Sequence, residues 1–157
     1  MAKGTPATSA LEKASTAFIL HEYDYDPNAE RIGMQAAEAL GVTPDRLLKT
    51  LMAKADSEVV CALLPSDKEM NLKKLANAAG SKAASMLPPT EAERITGFRV
   101  GGISPFGQKK RVRVFVEQTA LAHGKIIVNG GRRGLQIEIA PGDLVRLLGA
   151  TAAELAS

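Results

Sequence analysis

The chain has 157 residues, of which 45% are hydrophobic and 24% charged, a composition typical of a soluble globular protein. Its single cysteine excludes an internal disulfide framework, and its two histidines argue against a metal site, so we expect no metal. No apolar run reaches the roughly 18 residues of a membrane-spanning helix. Because Met1–Pro6 also lacks a signal-peptide core, we expect no membrane contact and a cytoplasmic location. The length predicts one domain over residues 1–157.

The net charge of +3 is unevenly distributed along the chain. The stretch from residue 99 to residue 133 carries eight basic residues and one acidic residue, whereas the rest of the chain carries twelve basic and sixteen acidic residues. The eight are Arg99, Lys109, Lys110, Arg111, Arg113, Lys125, Arg132 and Arg133. Such a zone is typical of a polyanion-binding face, although a solvated lysine and arginine face would give the same pattern. Because aromatic residues are only 4% of the chain, a bound nucleic acid would be held through its phosphates rather than by base stacking.

Patterns of apolar, glycine and proline residues predict short helices and strands along the whole chain. In chain order, the first half is predicted to contain a helix at Ala7–Ser15, a strand at Ala17–Tyr23, a loop at Asp24–Glu30, a helix at Met34–Leu40, a turn at Thr43–Asp45, strands at Leu47–Ala53 and Val59–Leu64, and a helix at Asn71–Ala79. The second half is predicted to contain a helix at Thr90–Thr96, a loop at Gly101–Gly107, strands at Arg111–Glu117, Lys125–Val128 and Leu135–Ala140, a helix at Gly142–Leu148 and a further short helix at Ala150–Leu155. Because strands and helices do not alternate regularly, this order predicts an α+β fold with a mixed or largely antiparallel sheet.

Lys49 is the residue of greatest chemical interest. On a strand it shares a face with Leu47 and Leu51, and the opposite face is largely apolar too. An amine in these surroundings is costly to bury without a partner, and its pKa would shift. The alternative is a lysine on an edge strand whose amine reaches water.

Two glycine-rich segments could also carry a function. Gly101–Lys110 lacks the spacing of a nucleotide-binding motif, but its glycines would let the backbone approach a ligand closely. The alternative is an ordinary connecting loop. Asn129–Gly134 predicts a hairpin turn that carries two arginines, and this turn could equally be a solvated tip. Cys61 is expected to be a buried hydrophobic residue, and no catalytic triad can be assembled.

At these positions the sequence resembles the YbaK/EbsC family, and within it the bacterial Cys-tRNA(Pro) deacylases. The resemblance rests on Leu48-Lys49-Thr50-Leu51, Asn71-Leu72-Lys73-Lys74-Leu75, Gly101-Gly102-Ile103-Ser104-Pro105-Phe106-Gly107-Gln108-Lys109-Lys110-Arg111 and Gly130-Gly131-Arg132-Arg133-Gly134-Leu135. It extends over about residues 7–148. It implies an α+β domain with a mixed, largely antiparallel, barrel-like sheet flanked by short helices. The same resemblance implies a relation to the editing domain that is inserted in bacterial prolyl-tRNA synthetases.

The implied activity is the removal of cysteine wrongly attached to tRNA(Pro), an error that arises because cysteine and proline are similar in size. In the family's chemistry the substrate thiol attacks its own ester and a thiolactone is released, so neither a cofactor nor a protein nucleophile is expected. The expected partners are the acceptor end of aminoacyl-tRNA and prolyl-tRNA synthetase. Because the family discriminates weakly among tRNAs, Cys-tRNA(Cys) is a second expected substrate. The alternatives are a hydrolase for alanine or serine esters of tRNA, and a non-catalytic module that binds tRNA or the synthetase.

The resemblance also implies roles for individual residues. Lys49 takes the place of the family's essential lysine and is the expected catalytic residue. The expected substrate-binding residues are Tyr23, Thr50, Gly101, Gly102, Ile103, Ser104, Pro105, Asn129 and Gln136. Asn129 and Gln136 stand where relatives carry serine and aspartate. The expected tRNA-binding residues, drawn from the basic zone, are Lys109, Lys110, Arg111, Arg132 and Arg133.

Overall fold

The computed structural model describes residues 4–28 and 32–157. Its helices are α1 (Pro6–Lys13), α2 (Ile32–Leu40), α3 (Leu72–Ala79), α4 (Pro89–Thr96) and α5 (Pro141–Leu148), and a 3₁₀ turn covers Gln118–Ala122. Its strands are β1 (Ile19–Glu22), β2 (Leu48–Ala55), β3 (Glu58–Pro65), β4 (Ala84–Met86), β5 (Arg113–Glu117), β6 (Ile126–Asn129), β7 (Leu135–Ile139) and β8 (Thr151–Ala153).

The larger sheet has five strands in the order β4-β2-β3-β5-β8. β2 and β3 form an antiparallel hairpin in which Lys49 lies opposite Leu64. β5 lies parallel to β3, and β8 lies parallel to β5, so the chain must cross over between these strands. β4 pairs with β2 only at residues 53–55. The first half of β2 therefore keeps one edge free of β4.

The smaller sheet brings its hairpin to the free edge of β2. Its three strands are antiparallel in the order β1-β7-β6, and Asn129 of β6 lies opposite Gln136 of β7. A single parallel bridge joins Leu47, just before β2, to Ile127 in β6. Asn129 and Gln136 thus approach the same end of β2 that carries Lys49.

The five-stranded sheet is covered on both faces, because alternate side chains of a strand point to opposite sides. One face packs against α1, α4 and α5, and the other packs against α3. The buried strand residues on the first face are Leu48, Met52, Cys61, Leu63, Val114 and Val116, and those on the second face are Ala53, Ala55, Val60, Ala62 and Phe115.

The predicted α+β class and the mixed sheet are confirmed, although the strands form two separate sheets and "barrel-like" describes them only loosely. The predicted helix at Ala150–Leu155 is wrong, because residues 151–153 form β8 and pair with β5. β4 and the 3₁₀ turn were not predicted. Of the predicted loop at Asp24–Glu30, residues 29 and 30 lie outside the described residues, as do Met1–Lys3 of the N-terminal segment.

Glu117, at the end of β5, holds the C-terminal segment in place from a buried position. One carboxylate oxygen accepts hydrogen bonds from the backbone N–H groups of Leu155 (2.8 Å) and Ala156 (2.9 Å). The other accepts from the backbone and hydroxyl of Thr119. Burial alone would raise the pKa of Glu117, but these donors together lower it below its usual value near 4.5. The ionised carboxylate therefore stabilises the folded state.

Replacing Glu117 by Gln should lower the free energy of unfolding at pH 7 by about 1–3 kcal/mol, because an amide NH₂ would face N–H donors. Since the folded-state pKa of Glu117 is depressed, its contribution is present above about pH 4.5 and is lost as the pH falls through the folded-state pKa. The variant should therefore lose less stability between pH 7 and acidic pH than the wild type. Urea unfolding across this range tests both points. Glu154→Gln is the control, because that exposed carboxylate forms a surface ion pair with Lys74 and should contribute less than about 1 kcal/mol.

Candidate functional site

A cavity of about 440 Å³ opens at the free edge of β2, between the two sheets. It lies beside the first half of β2, the hairpin of β6 and β7, the start of α4 and the glycine loop that follows α4. The structure brings seven of the predicted site residues to its wall: Tyr23, Lys49, Thr50, Gly101, Ile103, Asn129 and Gln136.

Lys49 enters this cavity from the start of β2, where its side chain is half-buried. Burial lowers the pKa of its ammonium group, and the carboxylates of Glu69 and Asp67 partly oppose this effect. Among the described residues that line the cavity, Lys49 is the only lysine or arginine, and none is an aspartate or glutamate. The cavity therefore offers a positive centre to a negatively charged oxygen or sulfur.

Two buried oxygen atoms at the cavity find no hydrogen-bond donor among the described residues. They are Oε1 of Gln136, a residue only 4% exposed, and Oγ1 of Thr50. An unsatisfied buried acceptor costs about 1–3 kcal/mol, and a donor group of a ligand would remove this cost. Tyr23 lies against the same wall. Burial and the neighbouring Tyr25 raise the pKa of its hydroxyl, and a side-chain hydrogen bond with Gln136 lowers this pKa by a smaller amount.

The mouth of the cavity is formed where the glycine loop meets the turn between β6 and β7. The side-chain amide of Asn129 donates to the carbonyl of Gly101 (3.2 Å), and Nε of Arg133 donates to the carbonyl of Val100 (3.0 Å). The guanidinium of Arg133 also lies 5.2 Å from the ring centre of Tyr25. These contacts fix an arginine and an amide beside the opening.

Three predicted substrate-binding residues lie away from the cavity. Gly102 is buried beneath the backbone of Arg132, and Ser104 is fully buried with its Oγ accepting the N–H of Phe106 (3.1 Å). Pro105 borders a separate apolar pocket between α1 and α5. Their role in substrate binding stays a prediction, and in this geometry they shape the loop that carries Gly101 and Ile103.

The predicted tRNA-binding residues fall into two groups. Arg132 and Arg133 lie on the turn at the cavity mouth, and Arg132 pairs with Glu22 at 3.2 Å. Lys109, Lys110 and Arg111 lie beyond α4, where the backbone N–H groups of the two lysines donate to the carbonyls of Thr96 and Ile95.

Lys110 and Arg111 border a groove of about 580 Å³ near the turn between β2 and β3. Val59 of β3 also lines this groove. Leu64, five residues further along β3, lies opposite Lys49 of β2. The five-residue spacing corresponds to roughly 17 Å along the strand. Lys110 and Arg111 at this groove are therefore separated from the cavity that Arg132 and Arg133 border, although both groups belong to one basic stretch of the sequence.

Sequence reasoning missed part of the apolar rim. Met86 of β4 is 44% exposed and Val100 is 39% exposed, and both line the cavity with Tyr25. Val100 could have been suggested by its position directly before the glycine loop. Met86 carried no such signal, because the three-residue strand β4 was not predicted.

Within residues 4–28 and 32–157, no group of three or more histidine, cysteine, aspartate or glutamate side chains is arranged to hold a metal ion. None of the helices in this part of the chain has the length and apolar character required to span a bilayer.

Comparison with known proteins identifies the family. Residues 26–147 match the model of the family described as the aminoacyl-tRNA editing domain. The chain belongs to this family. The predicted relation to tRNA-editing proteins is thereby confirmed.

Individual relatives agree with this assignment. The chain is 36% identical over 136 residues to EbsC of Enterococcus faecalis, which is named as an inferred Cys-tRNA(Pro)/Cys-tRNA(Cys) deacylase; the match covers 85% of this chain and 83% of EbsC. It is also 36% identical over 112 residues to the proline–tRNA ligase of Nitratidesulfovibrio vulgaris, covering 71% of this chain but 18% of the ligase. A crystal structure described as an inferred trans-editing enzyme for prolyl-tRNA synthetase superposes with a TM-score of 0.85 at 22% identity over 99% of both chains, which shows the shared fold.

The electrostatic balance at Lys49 leads to a prediction. Replacing Asp67 by Asn and Glu69 by Gln together should lower the pKa of Lys49 further, because burial would then act without the two opposing carboxylates. An NMR titration of the lysine Cε resonances would measure the change. Asp56→Asn, which alters a carboxylate just beyond the far end of β2, should leave the pKa of Lys49 unchanged. An unchanged or higher pKa in the double variant would contradict the assigned balance.

Proposed function

We propose that the protein is an aminoacyl-tRNA deacylase that removes cysteine from Cys-tRNA(Pro), with Cys-tRNA(Cys) as a second substrate. The observation that carries this proposal is the ammonium of Lys49 in a cavity that holds two unpartnered acceptors and no carboxylate among its described lining residues. This arrangement suits an ester whose carbonyl oxygen becomes negative as the bond is cleaved. Membership of the editing family and the similarity to EbsC support the same function.

The protein's own thiol is unsuited to act as the nucleophile. Cys61 is fully buried, and burial raises the pKa of its thiol to about 12 against a smaller opposing effect of Gln108. We therefore assign the attack to the substrate. Its thiolate sulfur bonds to the ester carbonyl carbon, the carbonyl bond to the terminal ribose oxygen breaks, and that oxygen takes up a proton as the thiolactone leaves. The protein supplies position and charge stabilisation.

In this mechanism the polar groups of the cavity have separate roles. Lys49 donates to the oxygen that becomes negative. Oε1 of Gln136 and Oγ1 of Thr50 accept hydrogen bonds from the substrate, whose α-amino group and ribose hydroxyl are suitable donors. Tyr23 and Asn129 border the same space and hold the acyl-adenosine end in position.

Cysteine is selected in this proposal by its chemistry rather than by the size of the cavity. A cavity of about 440 Å³ admits alanine as easily as cysteine, and binding discriminates poorly between small side chains. An alanine ester has no thiol, so it cannot cyclise. We further propose that prolyl-tRNA synthetase supplies the mischarged tRNA in the cytoplasm, and the similarity to a segment of proline–tRNA ligases supports this partnership.

The proposal is tested by incubating the protein with Cys-tRNA(Pro), Cys-tRNA(Cys) and Ala-tRNA(Pro) and following the loss of the ester and the released product. We expect loss of both cysteine esters, with a thiolactone as product, and a stable alanine ester. Cleavage of the alanine ester alone would instead identify a hydrolase of different specificity. No cleavage of any ester, with or without the synthetase, would favour a binding module.

Lys49→Met should lower kcat/KM in this assay by about 10²–10³-fold, because the variant loses the positive centre while keeping the apolar stem. Lys54→Met is the matched control, because Lys54 is a half-buried lysine near the other end of the same strand. Thermal unfolding should show both variants folded. A folded Lys49→Met protein with normal activity would contradict the mechanism.

We extend the proposal to the path of the tRNA. Ala92 of α4 lines the cavity, while Arg94 and Ile95 of the same helix line an adjoining depression together with Lys109 and Lys110. Lys110 also borders the groove beyond α4. An acceptor end seated in the cavity can therefore pass over α4 and lay its backbone against this groove.

Replacing Lys110 and Arg111 together by Gln should raise KM for Cys-tRNA(Pro) about tenfold at low salt and reduce the salt dependence of binding by about two phosphate contacts. Cleavage of the cysteinyl ester of adenosine alone should not change, because that substrate cannot reach the groove. The control is Lys73→Gln, which alters an exposed lysine at the start of α3, the helix that covers the opposite face of the sheet. Equal effects on both substrates would contradict this path.

A further inference from the structure

The segment before α1 contacts both the glycine loop and the turn between β6 and β7, which together form the cavity mouth. Gly107 lies so close to the carbonyl of Pro6 that a Cβ atom at this position would overlap it. On the other side, a Cβ atom at Gly131 would lie 2.9 Å from Oγ1 of Thr5. Residues 5 and 6 therefore fill the space between the end of the glycine loop and the turn after β6, although they precede the residues that match the family.

Thr5 makes the specific contact of this segment. Thr5 is only 9% exposed, and its hydroxyl donates to the carbonyl of Gly130 at 2.5 Å. The same oxygen accepts the N–H of Thr8 and so caps α1. Thr5 thus ties the start of a buried helix to the turn that carries Asn129 and Arg133.

Gly130 and Gly131, at the start of this turn, each make one further backbone hydrogen bond. The N–H of Gly130 donates to the carbonyl of Leu135 (2.8 Å), and the N–H of Gly131 donates to Oδ1 of Asn129 (2.7 Å). Gly131 has φ = +103°, so its backbone conformation is not stabilised by a side chain of its own. The bond from Thr5 therefore adds a lateral contact at the start of the turn, directly after Asn129 and ahead of Arg133, whose bonds to the carbonyls of Gly101 and Val100 depend on how the turn is placed.

We propose that Thr5 is a positioning residue of the site, whose hydroxyl holds the Gly130–Arg133 turn and thereby sets Asn129 and Arg133 at the cavity mouth. Its consequence for activity rests on the function proposed above. Its consequence for the turn does not depend on that function. Thr5 touches no substrate in this arrangement and acts only through the carbonyl of Gly130.

The chain offers a matched control for the role of Thr5 as a helix cap. Thr8 is buried like Thr5, accepts the N–H of Thr5 and donates to the carbonyl of Thr5, so that Thr8→Val weakens the same cap. It leaves the bond from Thr5 to Gly130 in place. Thr5→Val removes both functions of the hydroxyl at nearly constant shape, and Thr5→Ser restores the hydroxyl.

The first measurement is native-state amide hydrogen exchange at Gly130 and Gly131. After correction for global stability, we expect exchange to be faster by about tenfold in Thr5→Val, by less than about threefold in Thr8→Val, and near the wild-type rate in Thr5→Ser. Equal exchange in the two valine variants would show that Thr5 acts only as a helix cap, and would overturn the proposal.

The second measurement is steady-state deacylation of Cys-tRNA(Pro). We expect Thr5→Val to raise KM about five- to tenfold with kcat changed less than about twofold, because the affected groups hold the substrate and do not react. Thr8→Val should remain near the wild type. An effect on exchange without this difference in KM would overturn the link to the site. A wild-type protein without deacylase activity would refute the proposed function instead, and the exchange data would still decide whether Thr5 holds the turn.

Discussion

The candidate site depends on the close approach of two backbone segments at Gly102. A Cβ atom at this position would lie 2.8 Å from the Cα and carbonyl carbon of Arg132, so the contact requires the absence of a side chain. Because the two segments meet here without side chains between them, Asn129 reaches the carbonyl of Gly101 and Arg133 reaches that of Val100. The arginines and the glycine loop, which are about thirty residues apart in the sequence, become one wall of the cavity. Any substitution that separates the two segments would move every group at the mouth together.

The opposite wall has a different physical origin. Lys49 is half-buried because the start of β2 has no β4 beside it, and the smaller sheet comes close to this edge through Leu47 and Ile127. The resulting cavity places one ammonium near neutral acceptors. Its positive potential favours groups that become negative, such as an ester oxygen or a thiolate, and burial strengthens this effect by excluding water. The exposed carboxylates of Asp67 and Glu69 keep the ammonium from losing its proton as readily as burial alone would cause.

Local signals predicted most of the elements but not how they pair. α3 follows an Asn71 cap and ends before Gly80, which adopts the left-handed conformation, so its bounds agree with the predicted helix at Asn71–Ala79 to within one residue. β2 and β3 were recognised because each is a long apolar run. β8 was mistaken for a helix because an alanine-rich segment has helical propensity, and only the neighbouring β5 makes it a strand. β4 has three residues, too few to show a periodic pattern.

The same distinction between local pattern and tertiary placement applies to the site. Tyr23, Lys49 and Gln136 were assigned by resemblance, and the fold brings all three to one cavity. The basic residues were predicted as one tRNA-facing zone because they fall within one stretch of the sequence, residues 99–133, that has eight basic residues and one acidic residue. The fold separates them, because the chain leaves the cavity at Ile103, passes under α1 at Gly107 and reaches the far side of α4 at Lys109.

Two buried polar contacts outside the cavity connect the ends of the chain to the sheets. Thr5 joins the N-terminal helix to the turn after β6, and Glu117 joins the C-terminal residues to β5. Both use a side-chain oxygen to satisfy backbone groups that helices and sheets leave unpaired, so their loss would expose unsatisfied donors or acceptors. The two contacts support different parts of the molecule. Glu117 supports the edge of the larger sheet that lies away from the cavity, whereas Thr5 supports the turn that carries Arg133 to the cavity mouth. A defect at Glu117 is therefore expressed as lost stability, while a defect at Thr5 is expressed in the geometry of the site.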